Sequence, residues 1–404
     1  MEEAILLTAI LTFCFGLFSR LADRSPVTAP MVFAAVGILL GPLGLGVFRL
    51  KIDAELIKVI AEITLILVLF VGASVIDVRA LFKEYKIPFR LLFIGLPLTM
   101  FLGAVIARQF FPGMSPWLIA MMAFILSPTD AALGQAVVES DDVPPETRDS
   151  IAVESGLNDG IALPPILACM SALSAGAGAH LDTAYWAKFA LEHIAFAPVI
   201  GGSVGWLGGM LVDRASKAGW MNPTFQRLTS ISLAILVYAM AENLNGNGFI
   251  AAFFGGLLLG TKTTKVREQI QEFGDTEGQQ LMLFVFLIFG LVLVPFAANY
   301  WDIKVLFYAV LSLTLIRMLP VAISLIGAGM DWGTVGFIGW FGPRGIASVL
   351  YLLMVVGTLG VRGHEQMLSV IILTVLISIF LHGISAVPLS KIYGRYAANK
   401  EKNQ

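Results

Sequence analysis

Long apolar runs, broken by short polar stretches, recur along this chain from one end to the other. Nearly all are long enough to cross a hydrocarbon core of about 30 Å as a helix. The pattern predicts about thirteen helices, at roughly residues 4–22, 27–48, 54–76, 88–111, 116–138, 148–173, 185–213, 222–243, 246–262, 278–298, 302–329, 332–358 and 365–392. The class expected is an all-α polytopic membrane protein. Composition agrees: of 404 residues, 57% are hydrophobic and 13% charged, where soluble domains have roughly 25% charged.

Charge then orients the spans. One alternate set of loops holds Arg79, Lys83, Lys86, Arg90, Lys262, Lys265, Arg267 and the basic tail from Lys391 to Lys402. By the positive-inside rule, these lie in the cytoplasm and the N-terminus outside. The start, MEEAILL, is acidic and lacks the basic region of a signal peptide, so the first run is expected to be a retained span. A net charge of −2 offers no basic face for nucleic acid. Cys14 and Cys169 lie in apolar runs without metal-ligand spacing, and no cofactor is expected.

A few polar groups occur where water is scarce. The fifth predicted helix contains LSPTDAALG and the twelfth FGPRGIASV, each with a mid-span proline beside a charge. Their offset of seven helices would invert one copy relative to the other, as in inverted-repeat transporters. Pro128 frees carbonyls of the preceding turn, so Thr129 and Asp130 are expected to offer oxygen ligands to a cation. A proline kink, with Asp130 capping the half-helix that follows, is the plainer alternative.

In VESGLNDG of the sixth predicted helix, Ser155 and Asp159 share one stripe, with Glu154 and Asn158 on the next. Ser155 and Asp159 are expected to face Asp130. Glu154 is expected to pair with an intramembrane arginine, either Arg317 in TLIRMLPV or Arg344 in FGPRG. Two facing aspartates in a desolvated cavity raise each other's proton affinity, and a bound cation relieves that penalty. Cation and proton would then exclude one another, which is the logic of antiport.

SPTDAALGQAVV, VESGLNDGIALP, NGNGFIAAFFGGLLLG, GWFGPRGIASVLY and TVLISIFLHGISAVPL occur in that order. Together they resemble monovalent cation:proton antiporters of the sodium/proton exchanger type, in the prokaryotic NhaP-like branch. The resemblance implies a homodimer in which helices 5 and 12 are unwound and cross. It also implies a dimerisation part (helices 1–3 and 8–10, about 4–76 and 222–298), an ion-transport core (helices 4–6 and 11–13, about 88–173 and 302–392) and a linker helix at about 185–213. Asp130, Asp159, Ser155 and Thr129 would bind the cation, most simply sodium, or lithium, with potassium as the alternative. Glu154 would pair with Arg317, Arg344 would stabilise the crossing, and Asn158 before Asp159 would go with electroneutral exchange. The host would be a bacterial inner membrane. Many relatives carry a helix 3 glutamate where this chain has Ala73, Ser74 and Val75, with Asp77 beyond.

Competing classes fit less well. A sodium-coupled organic-anion symporter needs more polar lining, an intramembrane aspartyl protease needs Tyr-Asp and Gly-x-Gly-Asp signatures, and a passive channel is obstructed by mid-span charges. His364 is expected in a solvated turn and His382 as a packed neutral imidazole, with His180 and His193 remote from the motifs. The acidic stretch ESDDVPPETRD is expected as a solvated cytoplasmic loop, and the tail after Pro388 as a short one.

Overall fold

A computed structural model describes residues 2–22, 25–48, 55–76, 86–130, 133–176, 182–259 and 278–402, and among these no strand occurs. The helices are α1 (Glu2–Ala22), α2 (Ala29–Leu40), α3 (Glu55–Ser74), α4 (Lys86–Phe110), α5 (Pro116–Ile125), α6 (Gln135–Val138), α7 (Pro145–Ser174) and α8 (Thr183–Lys217). They continue as α9 (Pro223–Asn243), α10 (Gly248–Leu259), α11 (Gln279–Ala298), α12 (Ile303–Ser324), α13 (Trp332–Trp340), α14 (Ile346–Leu359) and α15 (Glu365–Lys402). Eight are long and apolar enough to cross a membrane, and shorter apolar helices accompany them. Leu6, Phe13, Phe101, Leu191, Phe225 and Phe307 are all exposed, as lipid-facing side chains must be in a membrane-embedded helical protein.

Proline shapes several spans without ending them. In α4, α8 and α11 a wide π-type turn (Leu91–Gly95, Ala190–Phe196 and Phe289–Leu293) runs directly into a segment with proline in its first positions. The wider turn accommodates the ring and its missing N–H. The predicted spans at 116–138 and 332–358, the two that the resemblance gives as unwound, are two pieces each, α5 with α6 and α13 with α14. α12 is interrupted at Thr314, which leaves helical geometry at φ −114° and ψ −94°.

The chain gathers into two compact units. One comprises Met1–Ile60, Ile87–Ser155 and Gln280–Gln404, and the other Ala61–Lys86 and Gly156–Gln279. In the first, α2 meets the wide turn of α11 at Gly37 and Gly290, where an added Cβ would strike the opposite backbone. A buried cluster including Leu91, Val137, Ile151, Val321, Phe337 and Tyr393 forms part of its core. In the second, α8 lies against α10 through Gly201 and Gly205, whose missing Cβ positions fall on the backbone of Ala251 and Gly255. Small residues let helices approach where no hydrophobic force separates helix from lipid.

The end of α15 differs from expectation. The last helix runs ten residues past the predicted limit near 392, to Lys402. Hydropathy ends there, but contacts do not: Tyr393 stacks on Phe337 at 4.1 Å, and its hydroxyl bonds those of Thr147 (3.1 Å) and Thr334 (3.0 Å). Lys400 bonds Asp331 at 2.8 Å and Tyr396 bonds it at 2.7 Å. Asp331 is also the N-cap of α13, so the tail is tied to the helix that leads into the second break.

Candidate functional site

α5 ends at Ile125, and Leu126 to Asp130 run as non-helical chain. α13 ends at Trp340, and Phe341 to Gly345 do likewise before α14 begins. The two non-helical stretches bond each other directly, since the Asp130 N–H donates to Pro343 O at 2.8 Å. At such depth, backbone groups released from a helix must find protein partners.

The partners come largely from the second broken helix. The Arg344 guanidinium donates to the carbonyls of Ser127 and Pro128, the latter at 3.0 Å, and the Ser348 hydroxyl donates to Ile125 O at 2.8 Å. Two of the carbonyls at the break, Ser127 O and Pro128 O, are thus shared with Arg344. A fully buried guanidinium satisfies its own donors most readily on carbonyls that have lost helical partners. The plainer alternative for Asp130 is altered: its Oδ2 accepts the Ile346 N–H at 2.6 Å, so it caps α14 of the other broken helix. A carboxylate there is favoured by the positive end of the α14 dipole.

Glycine makes both arrangements possible. A Cβ on Gly345 would occupy the place of the Asp130 carboxylate, and one on Gly342 would collide with the Arg317 guanidinium. Arg317 in turn holds Glu154 through two parallel bonds of 2.6 and 2.7 Å. Of the two arginines that helix spacing left open, Arg317, the one the resemblance favours, holds Glu154, and Arg344 serves the break. Both members of the pair are buried, so each charge depends on the other.

Thr129 Oγ1 and Ser155 Oγ lie 2.9 Å apart, joining the first break to α7. Thus Thr129, Asp130, Glu154, Ser155, Arg317 and Arg344 come together within one unit. Asn158 and Asp159 lie one turn further along α7, past the boundary between Ser155 and Gly156. Asn158 is buried and Asp159 half-buried. Asp77 lies outside the described residues; Ala73 and Ser74 are buried and Val75 is exposed.

Sequence reasoning passed over Ser348 and Ser378, although both occur in the motifs it selected. Ser378 Oγ accepts the Arg344 N–H at 2.7 Å and lies 3.0 Å from His382 Nδ1. Spacing of four on α15 is the signal that would have found the Ser378–His382 pair. His364 is half-buried at the start of α15, His193 packs edge-on to Phe189, and His180 lies outside the described residues.

The model of the sodium/hydrogen exchanger transmembrane family matches residues 6–392. The chain belongs to that family. It is 25% identical over 395 residues to the K(+)/H(+) antiporter NhaP2 of Shewanella oneidensis, covering 96% of this chain and 66% of that protein. It therefore spans slightly less than two thirds of that relative's length. The Na(+)/H(+) antiporter NhaP of Pseudomonas aeruginosa is 26% identical over 429 residues, with 98% of this chain and 97% of that protein covered. The sodium proton antiporter MjNhaP1 of Methanocaldococcus jannaschii superposes with a TM-score of 0.78 at 19% identity, over 97% of this chain and 98% of that one. At that identity, the likeness shows the exchanger fold.

Proposed function

We propose that this exchanger-family chain is a secondary antiporter that exchanges a monovalent cation for protons. The observation that carries the proposal is the division of labour among buried charges. Glu154 and Arg317 neutralise each other and Arg344 directs Nη1 at the carbonyls of the first break, while Asp130 stands at the meeting of two broken helices beside the Thr129–Ser155 hydroxyls. Hydroxyl and carboxylate oxygens are the hard ligands a small cation takes.

In this reading, Asp159 completes the site with Asp130, Ser155 and Thr129, because Asp159 follows Ser155 by one turn on the face that Ser155 presents. Cation and proton compete for the two carboxylates. The core moves only when one of them is bound, because an empty, doubly charged site is too costly to carry through an apolar gate. The core is formed by residues about 88–173 and 302–392, and it slides as an elevator against a dimerisation part at about 4–76 and 222–298, joined by a linker helix at about 185–213. Two such chains form the homodimer.

Asn158 beside Asp159 goes with one-for-one, electroneutral exchange. Sodium is the preferred cation and potassium the alternative, and the relatives' names divide between the two. The setting is a bacterial inner membrane with the N-terminus outside and the C-terminus in the cytoplasm. The test is reconstitution in proteoliposomes containing a pH dye, with sodium, potassium or lithium gradients at zero and imposed voltage. Voltage-insensitive, cation-driven dequenching that disappears in Asp159→Asn supports the reading; dequenching retained in that variant removes Asp159 from it.

A further inference from the structure

The break between α13 and α14 leaves main-chain groups outside any helix, and one face of α15 takes up two of them. His382 Nε2 lies 3.1 Å from the carbonyl of Trp340, the last residue of α13. The Arg344 N–H, four residues on, donates to Ser378 Oγ at 2.7 Å. Ser378 and His382 are one turn apart, fully buried, and 3.0 Å from each other through Oγ and Nδ1. The Trp340 indole N–H adds a bond to Ser385 on the next turn, at 3.1 Å.

The tautomer with its hydrogen on Nε2 uses these contacts together: Trp340 O only accepts, so Nε2–H donates to it and Nδ1 is left as an acceptor. The Ser378 hydroxyl accepts from the Arg344 N–H and donates to Nδ1. The other neutral tautomer would instead spend Nδ1–H on Ser378 O at 3.2 Å, within its own helix, and leave Trp340 O without a donor from the ring. One neutral tautomer thus serves both sides of the break. An imidazolium would instead be a second buried cation next to Arg344, at the cost that an unpaired buried charge carries.

The other side of the same short segment is held by the candidate ion site. Two residues after Arg344, the Ile346 N–H donates to Asp130 Oδ2. Gly345 lies between them and leaves room for that carboxylate. We propose that His382 is a positioning residue for cation binding: with Ser378 it anchors the break in α13–α14 so that the Ile346 N–H stays aimed at Asp130. This rests on the antiport reading above, but concerns a residue that touches neither cation nor acid. Without the anchor, the segment has more conformations to lose each time the site closes around an ion, so affinity suffers before turnover does.

The experiment compares wild type, His382→Ala, His382→Asn and His382→Gln in proteoliposomes, with hydrogen exchange of the 341–346 backbone measured on the same purified proteins. His382→Ala is expected to raise the apparent KM for the cation several-fold, with a smaller change in maximal rate and faster exchange in the segment. His382→Gln keeps a donor at the reach of Nε2 and is expected to recover most of both effects. Asn is too short to reach Trp340 O and is expected to resemble Ala. Unchanged KM and exchange in all three variants overturn the proposal, as does a loss confined to maximal rate. If wild type shows no cation-driven proton flux, the antiport reading fails, and hydrogen exchange still decides whether His382 holds the segment. Should His382→Ala fail to fold, the Asn–Gln difference decides.

Discussion

Two regions of this molecule depend on glycine for opposite reasons. Where α8 meets α10, Gly201 and Gly205 bring backbone against backbone, and the main chain of Ala251 and Gly255, not a functional side chain, takes the space a Cβ would fill. At the crossing, Gly342 and Gly345 make room for functional groups, the Arg317 guanidinium and the Asp130 carboxylate. The first region gains stability from contact. The second gains a chemical arrangement, and needs a set of fixed donors to keep it from collapsing. Damage to the first should therefore appear as unfolding, and damage to the second chiefly as lost transport, except where a buried charge is stranded.

That exception gives the largest effect. Removing one member of the Glu154–Arg317 pair leaves the other charged, buried and unpaired, a loss of about 3–5 kcal/mol. Arg317→Ala is expected to lower the melting temperature sharply in detergent, and the double variant with Glu154→Ala to recover much of it. If the double variant is as unstable as the sum of both singles, the pair is not acting as a closed unit.

The glycine contrast is sharpened by two substitutions one step smaller. Gly205→Val forces the backbones of α8 and α10 apart, costing about 1–3 kcal/mol, while protein that remains folded should still exchange ions. Gly345→Ala places a methyl where the Asp130 carboxylate lies and is expected to abolish cation-driven flux at a smaller loss of melting temperature. Equal ratios of flux loss to destabilisation in the two variants would erase the distinction.

Ser348→Ala tests whether the crossing is held by donors beyond Arg344. It strips Ile125 O of its hydroxyl partner, and leaving a buried acceptor unsatisfied costs about 1–3 kcal/mol. Thermal denaturation should register that loss, and Ser348→Thr, which keeps the hydroxyl, should register less.

The crossing was partly legible beforehand because a bilayer makes charge conspicuous. Asp130, Glu154, Asp159, Arg317 and Arg344 stand out in apolar runs, and Pro128 and Pro343 mark where helices must open. Choosing Arg317 over Arg344 for Glu154 was another matter. Spacing along each helix favours neither; the resemblance pointed to Arg317, and the physical reason lies in the three-dimensional meeting of α7 with α12. Ser348 and Ser378 were hidden for a different reason: serine is ordinary in spans, and its value depends on which carbonyl or N–H it faces. The end of α15 was missed because hydropathy reports burial in lipid, whereas residues past 392 are held by Tyr393 and Lys400 against protein.

That tail provides the smallest expected effect and the one with a defined pH dependence. Burial alone would raise the Asp331 carboxyl, but hydrogen bonds from Lys400, Tyr396 and Thr334 outweigh it and hold the group well below the usual carboxylate range. Since the folded-state value is depressed, Asp331 stabilises the fold fully at any pH above its unfolded value, near 3.8. The contribution declines only as pH falls below that point toward the folded value. Asp331→Asn is therefore expected to lower the melting temperature slightly and uniformly between neutral pH and mild acid, with the gap to wild type closing in stronger acid. Because the partners are largely solvent-exposed, salt should narrow the gap as well. A gap that widens on acidification would mean that Asp331 is held protonated in the folded chain, and the tie between α15 and the start of α13 would then be something other than an ion pair.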